Sequence, residues 1–188
     1  MGVAVQPRDG ISSVPHDCSD LITLFAECFG TRFNTRLVAG GSEPEYLPAS
    51  GGNCARIIFS HDYFASALHE VAHWCLAGAE RRQLPDYGYW YAPDGRDPLQ
   101  QQAFERVEAK PQALEWLFAE AAGFRFRVSA DNLGQAQGPS DAFKKAITAQ
   151  ARHYLINGLP SRAATFAEAL GTFYGGCLRL QQLDSSRL

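Results

Sequence analysis

His69-Glu70-Val71-Ala72-His73, inside the run Phe59-Ser-His-Asp-Tyr-Phe-Ala-Ser-Ala-Leu-His-Glu-Val-Ala-His-Trp-Cys-Leu-Ala-Gly78, decides how this chain is read. Two histidines four residues apart on a helix project from one face, so their imidazoles converge on a single divalent ion. Ala, Leu and Glu favour a helix here, and no Gly or Pro intervenes before Gly78, a natural C-terminal stop. Ser60 or Asp62 is placed to cap its start. Phe64, Ala67, Leu68, Val71, Ala72, Cys75 and Leu76 make it apolar around much of its circumference, which describes a buried helix. Buried histidines need polar partners, and one metal serves both. The alternative is a pair of core histidines satisfied by backbone carbonyls.

Working outward, Asp17 or Ser19 caps a first helix over residues 20–29, closed by Gly30. Residues 33–39 alternate as a strand that turns at Gly40-Gly41, and Glu45–Leu47 is a short edge strand between Pro44 and Pro48. Arg56–Phe59 is the clearest strand and feeds the histidine helix. After a polar connection, Tyr87–Asp97 is an aromatic hairpin strand or loop. A helical region spans Pro98–Ala122, where Pro111 kinks the helix or starts a second one. Phe124–Val128 alternates as a strand, residues 131–139 are a loop, and two serine-capped helices follow at 140–156 and 161–174. The predicted class is α+β: a small sheet with helices, a zincin-like metal helix carrying His-Glu-x-x-His, and further helices towards the C-terminus. The expected organisation is a flexible extension over residues 1–17, one metal-binding catalytic domain over 18–175 and a tail over 176–188, with no repeat.

Composition narrows the function classes. A chain of 188 residues, 46% hydrophobic and 20% charged, suits one globular domain with a full core. A net charge of −3 argues against nucleic-acid binding as the main activity. No apolar run approaches the roughly 18 residues of a membrane span. Met1–Asp17 lacks the basic start and apolar core of a signal peptide. Five cysteines, at 18, 28, 54, 75 and 177, contain no Cys-x-x-Cys pair, which fits a reduced, cytoplasmic protein. Cys75 follows His73 by two residues, an offset that turns it away from the histidine face and makes it a small buried hydrophobe.

Two histidines alone hold a divalent ion poorly, so a carboxylate should complete the set. Glu70, next to His69, cannot easily reach the same ion, and in zinc hydrolases with this motif it is the general base. Glu108 is the preferred third ligand, on a separate helix thirty-five residues after His73, with Glu105 one turn earlier as the alternative. His61, eight residues before His69, lines the site or lies on the surface, and His16 and His153 have no supporting context. A His, His, Glu set suits Zn(II), for hydrolysis, or Fe(II), leaving positions for oxygen and substrate.

The chain also resembles the bacterial elongation factor P hydroxylase family. The resemblance rests on Phe33-Asn-Thr-Arg-Leu37, Glu43-Pro-Glu-Tyr-Leu-Pro48, the helix from Tyr63 to Cys75, Gly88-Tyr-Trp-Tyr91, Pro93-Asp-Gly-Arg-Asp97, Val107-Glu-Ala-Lys-Pro-Gln-Ala-Leu114 and Asp131-Asn-Leu133, over roughly residues 20 to 170. It implies hydroxylation of the lysine of elongation factor P that already carries a β-lysine. By position, His69, His73 and Glu108 would hold Fe(II), with dioxygen as co-substrate and a reductant supplying electrons. Glu70 would orient a bound water or the substrate amine. Tyr89, Tyr91, Asp94 and Arg96, in the aromatic segment, are expected to receive the modified lysine. The alternative is a zinc metallopeptidase with Glu70 as general base; a third reading has the histidines holding only the fold.

Overall fold

Ala55–Ser60 (β3) is the middle strand of a three-stranded sheet. Thr35–Gly41 (β1) lies parallel to it with Leu37 opposite Ile57, and Glu45–Leu47 (β2) runs antiparallel at the other edge with Tyr46 opposite Ile57. Burial alternates along β3, with Ala55, Ile57 and Phe59 inside, so period two turns one face of the sheet to the core. The computed structural model describes residues 15–88, 96–129, 138–178 and 183; the expected substrate residues Tyr89, Tyr91 and Asp94 lie outside them.

Asp17 caps Cys18–Phe25 (α1), its carboxylate accepting the Ser19 N–H at 2.8 Å. Gly30 does not end this helix as expected. Its φ of −51° is ordinary right-handed helix, and the chain continues through a π-type turn at Ala26–Gly30 and Thr31–Phe33 (α2) until Asn34, at φ 45°, breaks it. The extra turn carries Phe33 to a ring-centroid distance of 5.2 Å from Trp74, a contact that favours continuation.

The histidine helix is Phe64–Leu76 (α3), and Ala67, Leu68, Val71, Ala72 and Trp74 on it are fully buried. Neither expected cap forms. Tyr63 occupies the N-cap without a side-chain bond, and Ser60 donates its N–H inward to the Ser66 hydroxyl at 3.1 Å. At the other end the chain leaves at Ala77, before Gly78, and arginines close the helix. Arg162 Nη2 donates to the carbonyls of Trp74 and Cys75 at 3.0 Å and of Ala77 at 2.6 Å, and Arg82 Nη1 adds a bond to Ala77 at 2.6 Å. Cations belong at this end, where unpaired carbonyls gather.

Pro98–Ala122 (α4) is one helix of 25 residues, started by an Asp97–Gln100 capping box and stopped by Gly123 at φ 66°. Pro111 neither divides it nor begins a second helix. The ring removes one donor, from the carbonyl of Val107, at an exposed position of the helix. Nor is Phe124–Val128 a strand. Phe126 stacks on Trp116 with centroids 5.7 Å apart, and the buried Gln112 pairs with the backbone at Ser129, donating to its carbonyl at 2.7 Å and accepting its N–H at 3.2 Å. A side-chain amide has taken the place of a neighbouring strand. Gln112→Ala is therefore expected to lower stability by about 2 kcal/mol in thermal or urea unfolding, since it removes both bonds to Ser129 and empties the space of a fully buried side chain.

Asp141–Asn157 (α5) has the expected serine cap, Ser140 accepting from the Phe143 N–H at 3.0 Å. Ser161–Tyr174 (α6) starts instead behind Pro160, with no side-chain cap. α4 packs against α3, α5 and α6. His16, placed by sequence in the extension, is seated in the fold: its Nε2 donates to the Ala122 carbonyl at 2.8 Å, and its ring packs 5.0–5.2 Å from Phe64, Phe124 and Tyr174. The observed class is α+β, and the zincin-like character rests on the pentapeptide alone. Among the described residues no helix is long and apolar enough to cross a membrane.

Candidate metal centre

Helical spacing on α3 brings the two imidazoles together edge to face, with centroids 4.7 Å apart. His69 Nε2 and His73 Nε2 lie 3.0 Å apart, and Glu108 Oε2, from the middle of α4, lies 3.4 Å from each. Among the described residues these three form the one group able to share a metal ion. Metal–ligand bonds of about 2.1 Å put neighbouring donor atoms about 3.0 Å apart in octahedral and about 3.4 Å apart in tetrahedral coordination. The triangle therefore has the edge lengths of three ligands on one side of a small divalent ion. Glu108 is only 2% exposed, and such a burial suits a carboxylate with a cation to neutralise.

The fourth member was not singled out in the sequence. Glu115 Oε2 accepts from His69 Nδ1 at 2.8 Å. An ionised carboxylate only accepts, so Nδ1 carries the proton and the neutral ring turns its Nε2 lone pair toward the cluster. Glu115 lies two turns beyond Glu108 on the same buried side of α4, and that seven-residue spacing is the signal which could have found it. Without a metal, burial pulls the His69 pKa down, but the bonds to Glu108 and Glu115 overcome it and hold the imidazole well above its ordinary 6.5. Burial likewise pushes Glu108 up, and His73 and His69 more than reverse it, holding that carboxyl far below its ordinary 4.5. Without a metal, the two carboxylates thus favour the protonated form of His69.

Glu70 is not one of the three grouped ligands and forms no hydrogen bond or ion pair among the described residues; burial raises its carboxyl above the usual range. Glu105 stands apart, its carboxylate accepting the Ser140 hydroxyl at 2.7 Å. His61 is exposed, left-handed at φ 51° and stacked on Tyr63. Arg96 is 4% exposed, its guanidinium 3.9 Å above the Phe104 ring and its Nε donating to Gln101 at 3.0 Å, so it braces the start of α4. Cys75 is buried, and burial pushes its thiol strongly up, as for an inert core cysteine.

Comparison with known proteins identifies the family. A family model described as elongation factor P hydroxylase matches residues 24–184. A protein of Haemophilus influenzae (strain Rd), named elongation factor P lysine hydroxylase, is 52% identical over 160 residues, which cover 85% of this chain and 90% of that relative. The matched region holds α3, α4 and every residue of the cluster. This chain is an enzyme and belongs to the elongation factor P hydroxylase family.

Proposed function

We propose that this protein hydroxylates the lysine of translation elongation factor P that carries an attached β-lysine, in the cytoplasm, with Fe(II) as the metal and dioxygen as co-substrate. What supports this is the juxtaposition of His69, His73 and Glu108, two imidazoles and one carboxylate, in a chain of this family. Fe(II) held by such a set would supply redox chemistry with dioxygen, a reductant providing the electrons. The rest falls to the chain's own residues. Glu115 fixes the tautomer and tilt of His69. The apolar body of α3, with Val71 and Ala72 fully buried, keeps bulk water from the ligands. Glu70, next to His69 in the chain, would orient a water or the substrate amine. Zn(II) or another divalent ion in the purified protein is compatible with the same donors. The peptidase alternative gains no support from the family or from the relative.

The test is the intact mass of β-lysylated elongation factor P after incubation with this protein, Fe(II), oxygen and a reductant. A gain of one oxygen atom that disappears in His69→Ala is expected; no gain with the iron-loaded protein overturns the reading. Within the same assay Glu70→Gln should keep part of the hydroxylation, whereas a peptidase would lose all activity. Glu115→Gln should weaken metal affinity about 10–100-fold, read by metal titration, since it loosens a ligand without removing one.

A further inference from the structure

Arg36 on β1 and Arg56 on β3 stand side by side in the parallel ladder, at matching register. Leu37 and Ile57, one residue further on, are buried, so period two turns both arginines to the outer face of the sheet, where they are exposed. Neighbouring strands lie about 5 Å apart, and like charges directly opposite weaken a sheet. Glu45 is the only acidic residue in the three strands. It also faces outward, opposite Ile58, and it pairs with neither arginine. The stability of the sheet does not account for this pair.

Further cations gather where these strands begin. Asn34 accepts the Ala55 N–H at 2.9 Å, which ties the turn after Phe33 to the start of β3. Around the Phe33 ring lie three guanidinium carbons, those of Arg32, Arg82 and Arg162, at 5.3, 5.5 and 5.6 Å from its centroid. Arg82 and Arg162 meet on the Ala77 carbonyl, each donating to it at 2.6 Å. None of these five arginines forms an ion pair among the described residues. In a chain of net charge −3, that gathering is a local positive field of the kind that draws an acidic partner.

We propose that the outer face of the sheet, carrying Arg36 and Arg56, is the docking surface for an acidic face of the protein substrate. This rests on the substrate proposed above. Opposed charge speeds encounter between two proteins and fixes their register. Val38, Leu47 and Ile58 turn to the same side and are half-buried, so apolar surface adjoins the cations, and arginine is the cation enriched at protein interfaces. RNA fits this face less well. Single strands are held on a sheet by exposed aromatic rings, and the outward positions of these three strands carry none.

The double substitution Arg36→Glu, Arg56→Glu in the metal-loaded full chain reverses the charge of this face and removes no candidate ligand. Its affinity for β-lysylated elongation factor P, measured by calorimetry without turnover, should fall about tenfold or more, and KM should rise as much while kcat holds. Affinity should drop steeply with added salt in the unaltered protein and only slightly in the variant. Arg36→Gln removes one of the two facing charges. Its melting temperature should hold or rise while affinity falls about threefold, which an arginine kept for stability would not allow. Hydroxylation by the unaltered protein, with affinity and KM unchanged in the double variant, overturns the docking surface and leaves the proposed activity standing. Binding that needs the two arginines without any hydroxylation supports the surface and overturns the activity. A single-stranded RNA held through the same arginines more tightly than elongation factor P overturns the protein partner. Absence of both binding and hydroxylation in the unaltered protein overturns both readings.

Discussion

With the proposed metal held by His69, His73 and Glu108, Glu108→Gln is expected to weaken metal binding sharply and, with it, hydroxylation. The amide has nearly the carboxylate's size, so α4 should remain in place. What disappears is the single negative charge that sits 3.4 Å from both imidazole nitrogens. The loss in metal affinity should exceed the roughly 10–100-fold that accompanies removal of a ligand's partner, and oxygen incorporation measured by intact mass should fall with it. Metal-free protein gives a second readout. The depressed Glu108 carboxyl contributes stability that is full above its ordinary 4.5 and is lost as pH falls toward its folded value. The raised His69 contributes stability that is full below its ordinary 6.5 and is lost as pH rises through its folded value. The pairing therefore stabilises metal-free protein most between about pH 4.5 and 6.5. Unfolding across pH should show this maximum, and Glu108→Gln should flatten it. Metal uptake near neutral pH should also release a proton from His69, seen calorimetrically in buffers of differing ionisation enthalpy.

The second large effect is expected from Arg162→Leu, which removes no candidate ligand. One nitrogen of this guanidinium serves three carbonyls at the end of the histidine helix, and its carbon lies 4.8 Å over the Trp74 ring. Leucine fills part of the space and supplies no donor. Bonds to a charged donor contribute about 1.5–3 kcal/mol each but not additively, so a net loss of about 3 kcal/mol is expected. For a domain of this size that lowers the melting temperature by about 6–12 °C. Arg82 retains its single bond to Ala77 and should limit the damage to the last turn. A melting temperature within 2 °C of the unaltered protein's, on the order of one weak hydrogen bond, would show that Arg82 and water can close the helix alone.

Local patterns were readable where the determinants lie close together in sequence. The i, i+4 histidines, the short apolar β3 and the edge position of Glu45–Leu47 follow from spacing alone, and each element appears as expected. The cluster was partly readable: a buried histidine pair called for a carboxylate, and Glu108 is the one α4 brings to it, whereas Glu105 turns to Ser140. What escaped depends on distant partners. The caps of α3 could not be foreseen because its closing residue lies 88 positions further along. Phe124–Val128 has the alternation of a strand, yet Gln112 satisfies the backbone that a strand would have paired. Glu115 reads as one more helical carboxylate until His69 is placed against it.

The seating of His16 bears on where the folded unit can safely be cut. The shared family region begins at residue 24, and a helix reading alone would trim the chain at Cys18. Such a truncation removes the plug from a socket walled by Phe64, Phe124 and Tyr174, and leaves the Ala122 carbonyl without its donor. Three rings that now close a corner between the start of α3 and the ends of α4 and α6 would become an adhesive apolar patch. An expression boundary or affinity tag is therefore better placed upstream of Pro15, where His16 stays part of the chain it fastens.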